Sequence, residues 1–334
     1  MDPVRPRSAR GLTVRALRAG TKVVVLGGSG FVGSAVAARL AAAGAAVRVV
    51  ARDPGVPPFP AEAVTANLTE PGRVAAAVAG ADVVLPLVLF TGSGTWRVEA
   101  AGADDAAKVN VGVIADAVAA AGAAVVFPGS TSQVGPGAPE RIDGTEPDRP
   151  DSEYDRQKCA AERLVLDAGG CSLRMPTVFG PSSGSPDRGV VAAMARRALA
   201  GQPLTVWGTG EMERDLLFVE DVAEAFVAAV AHADDLAGHA WLVGSGTGIS
   251  VRDLFTAVSE AVAAHTGLPA VSVMSVAPPE HATPIDFRSL VADPTAFSRV
   301  TGWRARVPLA DAVARTVAAV AAEFHSGRIE PAHP

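Results

Sequence analysis

The stretch that decides the fold is Lys22-Val23-Val24-Val25-Leu26-Gly27-Gly28-Ser29-Gly30-Phe31-Val32-Gly33. Its first five residues are typical of a buried strand, and residues 30–43 predict a helix that ends at Gly44. The spacing G-x-x-G-x-x-G allows a tight turn, close approach of the backbone to a pyrophosphate, and close packing of helix on sheet. The helix N-terminus would offer its N–H groups to phosphates. We therefore predict a dinucleotide site formed by Gly27, Gly28, Ser29, Gly30, Phe31, Val32 and Gly33.

Apolar strands and helices alternate after this stretch. Strands are predicted over 46–51, 83–87, 124–127 and 171–175, and helices near 71–80, 100–121 and 154–168. Fully apolar strands separated by helices indicate a parallel sheet covered on both faces, an α/β, doubly wound, Rossmann-type fold. After Gly180-Pro181 the elements change to helices near 189–200, 219–230 and 250–266 and strands near 204–207 and 214–218.

This change in pattern predicts two domains. Residues 1–20 are expected to form a flexible basic tail, and 21–180 a dinucleotide-binding domain with returning segments near 214–245. Residues 181–330 are expected to form mainly a smaller, mixed α/β, substrate-binding domain.

Composition excludes several classes of protein. Among 334 residues, 49% are hydrophobic and the formal net charge is −6, which argues against a disordered chain and against general affinity for nucleic acid. Apolar runs such as 83–90 fall short of the roughly 18–20 residues that a membrane span needs. A soluble protein is therefore expected. Two cysteines cannot form a disulfide framework, which indicates the cytoplasm or else leaves the compartment open. No metal site is predicted.

Two residue types that are scarce in this chain, tyrosine and lysine, lie close together. Tyr154 is the only tyrosine, and Lys158, one of three lysines, follows four residues later on the same face of a predicted helix. The probability that a lysine occupies that position by chance is roughly 1 in 100, which is small compared with the usual false-positive rate of a short motif. A neighbouring ammonium stabilises a phenolate, so the pair is interpreted as an acid–base group with a lowered tyrosine pKa.

A third member of this group is expected where the fifth predicted strand ends. In doubly wound sheets ligands bind outside the carboxyl ends of the strands. Ser130, or else Thr131, could there hydrogen-bond a carbonyl oxygen that is being reduced. The alternative interpretation is that these hydroxyls only cap a turn.

The cofactor is predicted from the end of the second strand. An acid there would bind the ribose 2′-hydroxyl of NAD, whereas an Arg accommodates the 2′-phosphate of NADP. Ala51 occupies the acid position and Arg52 follows it, which favours NADP(H) over NAD(H). Asp53 could reach the ribose, or could simply start the turn with Pro54 and Gly55.

These features together resemble an extended short-chain dehydrogenase/reductase of the NAD-dependent epimerase/dehydratase family, from about residue 22 to about 318. The resemblance extends to Asn67-Leu68, Asn110, residues 173–181, residues 214–222 and Thr301-Gly302-Trp303. It implies that the cofactor is also bound by Asn67, Leu68, Leu87, Pro176, Tyr154 and Lys158. It implies that the substrate contacts Thr131, Thr177, Arg188, Arg214 and Arg288, and that two copies form a homodimer through the helices near 100–121 and 154–168.

A narrower resemblance, in residues 93–97, 188–191, 279–281 and 286–289, is to dTDP-4-keto-6-deoxyhexose 4-ketoreductases of antibiotic deoxysugar pathways. It implies that Ser130 orients the C4 carbonyl, Tyr154 donates a proton, and Lys158 tunes Tyr154 and binds the nicotinamide ribose. Two departures from the family pattern are Pro86-Leu87-Val88 after the fourth strand and the lack of an Arg near 283, which Arg288 or Arg188 would replace. His281 is either a further nucleotide ligand or simply a histidine of a surface loop.

Three other functions are weighed against a reductase. A 4,6-dehydratase of this family would have Asp-Glu where Thr131 and Ser132 stand. An epimerase recovers its hydride in every cycle and needs no supply of NADPH, so Arg52 favours a net reductase. A non-catalytic dinucleotide sensor would need neither Tyr154 nor Lys158.

Overall fold

The computed structural model describes residues 15–90, 100–182, 189–279, 282 and 284–325. Its strands are β1 (Lys22–Leu26), β2 (Ala46–Ala51), β3 (Glu62–Thr65), β4 (Val83–Pro86), β5 (Ala124–Ser130), β6 (Arg141–Ile142), β7 (Cys171–Met175), β8 (Thr177–Phe179), β9 (Leu204–Trp207), β10 (Glu213–Phe218), β11 (Ala240–Leu242), β12 (Gly248–Ser250), β13 (Val273–Val276) and β14 (Val291–Ala292). Its helices are α1 (Phe31–Ala42), α2 (Arg73–Val78), α3 (Ala103–Ala107), α4 (Val113–Ala120), α5 (Glu153–Asp167), α6 (Val190–Leu199), α7 (Val219–Ala231), α8 (Ala233–Leu236), α9 (Val251–Thr266), α10 (Thr295–Thr301) and α11 (Leu309–His325).

The main sheet has seven parallel strands in the order β11-β7-β5-β4-β1-β2-β3. The chain starts at β1 in the interior, runs outward to β3, and then crosses back to β4 on the other side of β1. This reversal between β1 and β4 is the topological switch point at which doubly wound sheets bind their ligands. The expected Rossmann-type fold is confirmed.

Helices cover both faces of this sheet. On one face, α1 packs on α7, and Leu40 and Phe226 are fully buried with the strand residues beneath them. On the other face, α2, α4 and α5 bury Val74, Ile114 and Val165. Because both faces are covered, the central strands β1 and β4 are buried on both faces and almost entirely apolar rather than alternating.

The remaining elements form a second core. The strands β12, β10 and β8 make a three-stranded sheet, and β9 pairs with β13. Helices α6, α9 and α11 pack together there and bury Val191, Leu254 and Val317. This second core is built mainly from residues after 180, where the substrate-binding domain is expected.

Parts of the C-terminal half return to the first core. Helix α7 packs on α1, and β11 adds the edge strand beside β7. Phe297 and Trp303, with ring centroids 5.6 Å apart, are buried in the first core, and Trp303 Nε1 donates to the Asp221 carbonyl at 3.1 Å. The chain therefore crosses the proposed boundary several times.

The single helix expected near 100–121 is divided into segments. A 3-10 turn at Ala100–Gly102 precedes α3, and a π turn at Lys108–Gly112 separates α3 from α4. Gly102 and Gly112 weaken the helix at these two positions. The π turn carries Asn110, whose buried side chain accepts from Phe90 N and donates to Gln157 Oε1, each at 2.8 Å. Asn110 thus ties the chain after β4 to α5.

Two findings concern the ends and surface of the chain. Residues 1–14 of the expected basic tail lie outside the described residues, and residues 15–20 lead through a turn into β1. No helix in the described part of the chain is both long and apolar enough to cross a membrane.

Candidate active site

The expected cofactor residues come together at the carboxyl edge of the main sheet. Because the strands are parallel, the segments that follow β1, β2, β3, β4, β5 and β7 all emerge at this edge. The residues brought there are the 27–33 loop, Arg52, Asn67, Leu68, Leu87, Ser130 and Pro176. The sequence-based expectation of one shared site is consistent with this placement.

The glycine loop between β1 and α1 fits a dinucleotide pyrophosphate. Gly27 has φ +81°, and a Cβ there would lie 2.7 Å from the carbonyl oxygen of Leu87. A Cβ on Gly33 would lie only 2.2 Å from the carbonyl oxygen of Gly27. Within the described residues no side chain caps α1 at Gly30. The first N–H groups of the helix, which face the loop, are therefore available to bind an anion. Gly28, Ser29, Phe31 and Val32 complete this turn.

The end of β2 presents a basic side chain. Arg52 is exposed, while the Asp53 carboxylate accepts from Gly55 N at 3.2 Å. Asp53 therefore starts the turn, which is one of its two expected roles. Farther along the edge, Asn67 accepts from Thr69 N and Oγ1, and Leu68 is buried in the core.

Helix α5 positions the tyrosine and the lysine. Ser152 caps the helix, its hydroxyl accepting from Asp155 N at 3.1 Å, so that α5 begins at Glu153. One turn apart on α5, Tyr154 and Lys158 face β5. The Lys158 ammonium is buried, donates to the Pro128 carbonyl at 2.7 Å, and lies 5.7 Å from the centre of the Tyr154 ring.

Burial dominates the protonation of both groups. Desolvation raises the pKa of Tyr154 to about 12; the hydroxyl of Ser130 opposes this shift and the carboxylate of Asp155 adds to it. Desolvation lowers the pKa of Lys158 to about 8, opposed by Glu162. The expected lowering of the tyrosine pKa by its lysine is thus reversed in this structure, because burial disfavours the phenolate and the ammonium is engaged by Pro128.

Ser130 ends β5 beside the tyrosine. Its side chain contacts the Tyr154 hydroxyl and lies 2.7 Å from Ser132 Oγ. It also caps the short 3-10 turn Thr131–Val134 by accepting from Ser132 N at 3.2 Å, while Gln133 Oε1 accepts from Ser130 N at 2.8 Å. The capping interpretation of Ser130 is therefore correct for this structure, and the hydroxyl still reaches Tyr154. The neighbouring Thr131 is buried.

A buried ion pair lies behind the site and was missed by the sequence reasoning. Glu162, one turn after Lys158, pairs with Arg174 of β7, and both side chains are more than 90% buried. Glu162 also accepts from Ser172 Oγ at 2.6 Å and from Gln133 Nε2 at 3.1 Å. The spacing Lys-x-x-x-Glu on the same helix face is the signal that could have indicated it.

The residues expected to contact substrate divide into three groups. Thr177 is exposed in β8. Arg214 donates to the carbonyl oxygens of Asp286 and Arg288, and Arg288 donates to those of Gly135 and Pro139, so each guanidinium group holds two backbone carbonyls in place. Burial lowers the Arg214 pKa and Arg288 lowers it further. Arg188, His281 and residues 93–97 lie outside the described residues.

Comparisons with known proteins agree with this geometry. Residues 23–244 match the model of the NAD dependent epimerase/dehydratase family. A UDP-glucose 4-epimerase of Mycolicibacterium smegmatis is 33% identical over 180 residues, which are 51% of this chain and 53% of that protein. A dTDP-6-deoxy-L-talose 4-dehydrogenase (NAD(P)(+)) of Kitasatospora kifunensis is 28% identical over 316 residues, 87% of this chain and 93% of that protein. The structure of MoeE5 in complex with UDP-glucose and NAD superposes with a TM-score of 0.76 at 26% identity, covering 91% of this chain and 99% of that one.

Proposed function

This chain belongs to the NAD dependent epimerase/dehydratase family, and from that premise we propose that it reduces the C4 keto group of a dTDP-4-keto-6-deoxyhexose with NADPH. The product would be a dTDP-deoxysugar used in natural-product glycosylation in the cytoplasm. The similarity to a dTDP-6-deoxy-L-talose 4-dehydrogenase over most of both chains supports the substrate class and the position of the reaction on the sugar.

The observation that carries the choice of a reductase is the end of β2. Arg52 is exposed there, and one oxygen of the Asp53 carboxylate accepts from Gly55 N. An accessible guanidinium suits the 2′-phosphate of NADP, the cofactor that a net reductase draws from its pool. Thr131 and Ser132, in place of an acidic pair, disfavour a dehydratase.

The residues of the chain have separate roles in this reaction. The 27–33 loop would hold the pyrophosphate of the cofactor, and Lys158 its nicotinamide ribose. A bound NADPH supplies the hydride to the carbonyl carbon. Tyr154 gives its phenolic proton to the carbonyl oxygen, and Ser130, in contact with the Tyr154 hydroxyl, helps to orient the reacting groups. Lys158, one helical turn away, would then supply a positive charge near the phenolate.

The remaining roles concern the sugar nucleotide and a second copy of the chain. Arg214, whose guanidinium reaches the Arg288 carbonyl, and Arg288 itself would bind the diphosphate of the sugar nucleotide, with Arg188, Thr131 and Thr177 around the sugar. Two copies would associate through the face formed by α4 and α5, where Leu164 is exposed.

A second candidate is a nucleotide-sugar 4-epimerase, which the similarity to the Mycolicibacterium enzyme favours. The test is to mix the purified protein with NADPH or NADH and a set of dTDP-4-keto-6-deoxysugars, and to follow the absorbance of the reduced cofactor. A reductase consumes one NADPH for each sugar reduced. If no cofactor is consumed with any of these sugars, the reductase is excluded. Interconversion of dTDP- or UDP-hexoses without consumption would establish the epimerase instead.

Replacing Arg52 by Ala tests the cofactor preference. NADPH binding is expected to weaken by about 10- to 100-fold, which corresponds to the roughly 1.5–3 kcal/mol of a hydrogen bond to a charged group. NADH binding should change little, because NADH has no 2′-phosphate. Titration of each cofactor by protein fluorescence measures both affinities. Arg156→Ala, an exposed arginine of α5, is the charge-matched control. An equal loss of affinity for NADPH and NADH would exclude the 2′-phosphate role.

A further inference from the structure

Two side chains of α5 contact the end of β5. Lys158 donates to the Pro128 carbonyl at 2.7 Å. One turn later, the Glu162 carboxylate lies against Gly129, where a Cβ would be only 2.9 Å from Oε2 of the glutamate. Tyr154 lies one turn before Lys158 on the same helix. Because these three residues of α5 are spaced four apart, they share one face, and the end of β5 is aligned along the face that carries the tyrosine.

Gln133 extends this contact to the last residue of the strand. Its side chain is fully buried, its Oε1 accepts from Ser130 N at 2.8 Å, and its Nε2 donates to Glu162 Oε1 at 3.1 Å. The two partners fix the orientation of the amide, because a backbone N–H only donates and a carboxylate only accepts. The amide is therefore a bridge between the end of β5 and α5.

The carboxylate to which this bridge is attached is held from its other side. Ser172 Oγ donates to Glu162 Oε2 at 2.6 Å, and Arg174 Nε donates to the same oxygen at 3.0 Å. Both residues belong to β7, the strand that pairs with β5 in the main sheet. The Glu162 carboxylate is thus a fixed point to which the bridge ties the strand.

A role in capping the 3-10 turn would not by itself require an amide. Gln133 is the fourth residue of the capping box that starts at Ser130, and either Glu or Gln serves at that position of a capping box. A glutamate would also accept from Ser130 N, but it would place a second carboxylate against Glu162. The amide differs from it in one respect, which is that it also donates to the carboxylate of α5.

We propose that Gln133 is a positioning residue, which acts through Glu162 to hold the end of β5 at a fixed distance from the face of α5 that carries Tyr154. The hydroxyl groups of Ser130 and Thr131 lie at this strand end and move with it. A displacement of about 1 Å between two sides of an active site can lower the rate by about 100-fold. The inference rests on the proposed function, in which the tyrosine of α5 and the hydroxyls after β5 meet the same sugar.

Replacing Gln133 by Met removes both hydrogen bonds and keeps the length of the side chain. We expect kcat for ketosugar reduction to fall by about 10- to 100-fold, because the two sides of the site lose their alignment. The NADPH dissociation constant should stay at the wild-type value, since the 27–33 loop and Arg52 are untouched. Hydrogen exchange of the peptide 124–134, measured by mass spectrometry without cofactor or sugar, should become about tenfold faster or more at the strand end.

Ser172→Ala is the matched control, because it removes a different hydrogen bond from the same carboxylate and leaves the bridge in place. This variant should keep the wild-type kcat and the wild-type exchange of the peptide 124–134. Urea unfolding of both variants reports whether their stabilities differ.

Replacing Gln133 by Glu separates the bridge from the cap, and it also serves if Gln133→Met does not fold. The glutamate keeps the capping bond to Ser130 N, but as a carboxylate it repels Glu162. Once protonated, it donates to Glu162 as the amide does. The neighbouring carboxylate raises the pKa of the new acid, so protonation falls within the working range of pH. The ratio of kcat in this variant to kcat in the wild type should therefore be about tenfold higher at pH 6 than at pH 9.

Other titratable groups lie near the contact between Gln133 and Glu162, and these are Lys158, Cys159, Arg174 and Asp148. Burial raises the pKa of Cys159 to about 11, so this thiol stays neutral between pH 6 and pH 9. All four groups are present in the wild type as well, and taking the ratio of the two proteins at each pH removes their own contribution.

A folded Gln133→Met with the wild-type kcat, or with the wild-type hydrogen exchange, would overturn the proposal. Equal losses of kcat in Ser172→Ala and Gln133→Met would also overturn it, since any weakening around the carboxylate would then suffice. So would a Gln133→Glu variant whose ratio to the wild type is the same at pH 6 and pH 9. The wild type alone decides whether the protein is a reductase. If it proves to be an epimerase, the same ratios are taken on that reaction, and the hydrogen exchange needs no reaction.

Discussion

Replacing Tyr154 by Phe is expected to lower kcat for ketosugar reduction by about 10²- to 10⁴-fold, the usual contribution of a positioned general acid. The phenolic oxygen carries the proton that is transferred, and it is the atom that Ser130 contacts. Phe removes this oxygen while keeping the ring. NADPH binding should remain close to that of the wild type, because the 27–33 loop and Arg52 are untouched. Steady-state kinetics with a dTDP-4-keto-6-deoxysugar, together with NADPH titration, measures the two quantities separately.

The position of the Tyr154 ring allows the stability of the variant to serve as the control for this experiment. The Lys158 ammonium lies 5.7 Å from the Tyr154 ring centre and 4.9 Å from that of Phe127, so Phe at position 154 keeps the surroundings of the lysine. The thermal unfolding of Tyr154→Phe should therefore match the wild type. A variant that is folded and keeps the wild-type kcat would remove Tyr154 from the mechanism. A variant with weakened NADPH binding but normal kcat would assign Tyr154 to the cofactor alone.

Replacing Glu162 by Gln should produce a large loss of stability. Its carboxylate is 3% exposed and forms the ion pair with Arg174, so the neutral amide would leave a buried guanidinium with only the half-exposed Asp148 beside it. Breaking one partner of a buried pair costs about 3–5 kcal/mol, and we expect a loss near the lower end of that range because Asp148 remains. Urea unfolding followed by circular dichroism measures the change.

Glu153→Gln is the matched control on the same helix. Glu153 pairs with Arg156 at the surface, with side chains 34% and 53% exposed, and its loss should change stability by less than about 1 kcal/mol. Equal effects of the two substitutions would contradict a structural role for the buried pair. Glu162→Gln should also lower the pKa of Lys158 further, because Glu162 is the group that raises it.

The parts of the fold that could be predicted from the sequence are the strands that are mostly apolar and lie inside the main sheet. Strands β1, β2 and β7 were predicted with the bounds that the structure has, because each is buried on both faces and bounded by glycine or a polar turn. Strand β3 was missed, since Glu62, Ala63 and Thr65 are exposed at the edge of the sheet and carry no apolar run. Strands β6 and β14 pair only with each other over two residues, too short for any period.

The parts of the site that could be predicted are those that form local patterns in the sequence. The glycine loop and the Tyr154–Lys158 spacing are such patterns, and so is Arg52 after a strand. The Asp155–Ser132 contact joins residues 23 apart, and the Glu162–Arg174 pair joins a helix to a strand, so neither has a local period to reveal it. The pKa of Tyr154 could not be inferred from the Tyr–Lys spacing alone, because burial outweighs the lysine.

The repeated return of the chain to the first core determines how this protein can be dissected. A fragment ending at residue 180 would lack β11 and α7, and the face of α1 that buries Leu40 against α7 would be open to water. Such a fragment should aggregate rather than fold. A graft of the substrate-binding portion from a relative would need matched junctions on both sides of α7–β11 and around Phe297–Trp303. Sugar specificity in this scaffold is therefore more readily altered by point substitutions than by exchange of one contiguous module.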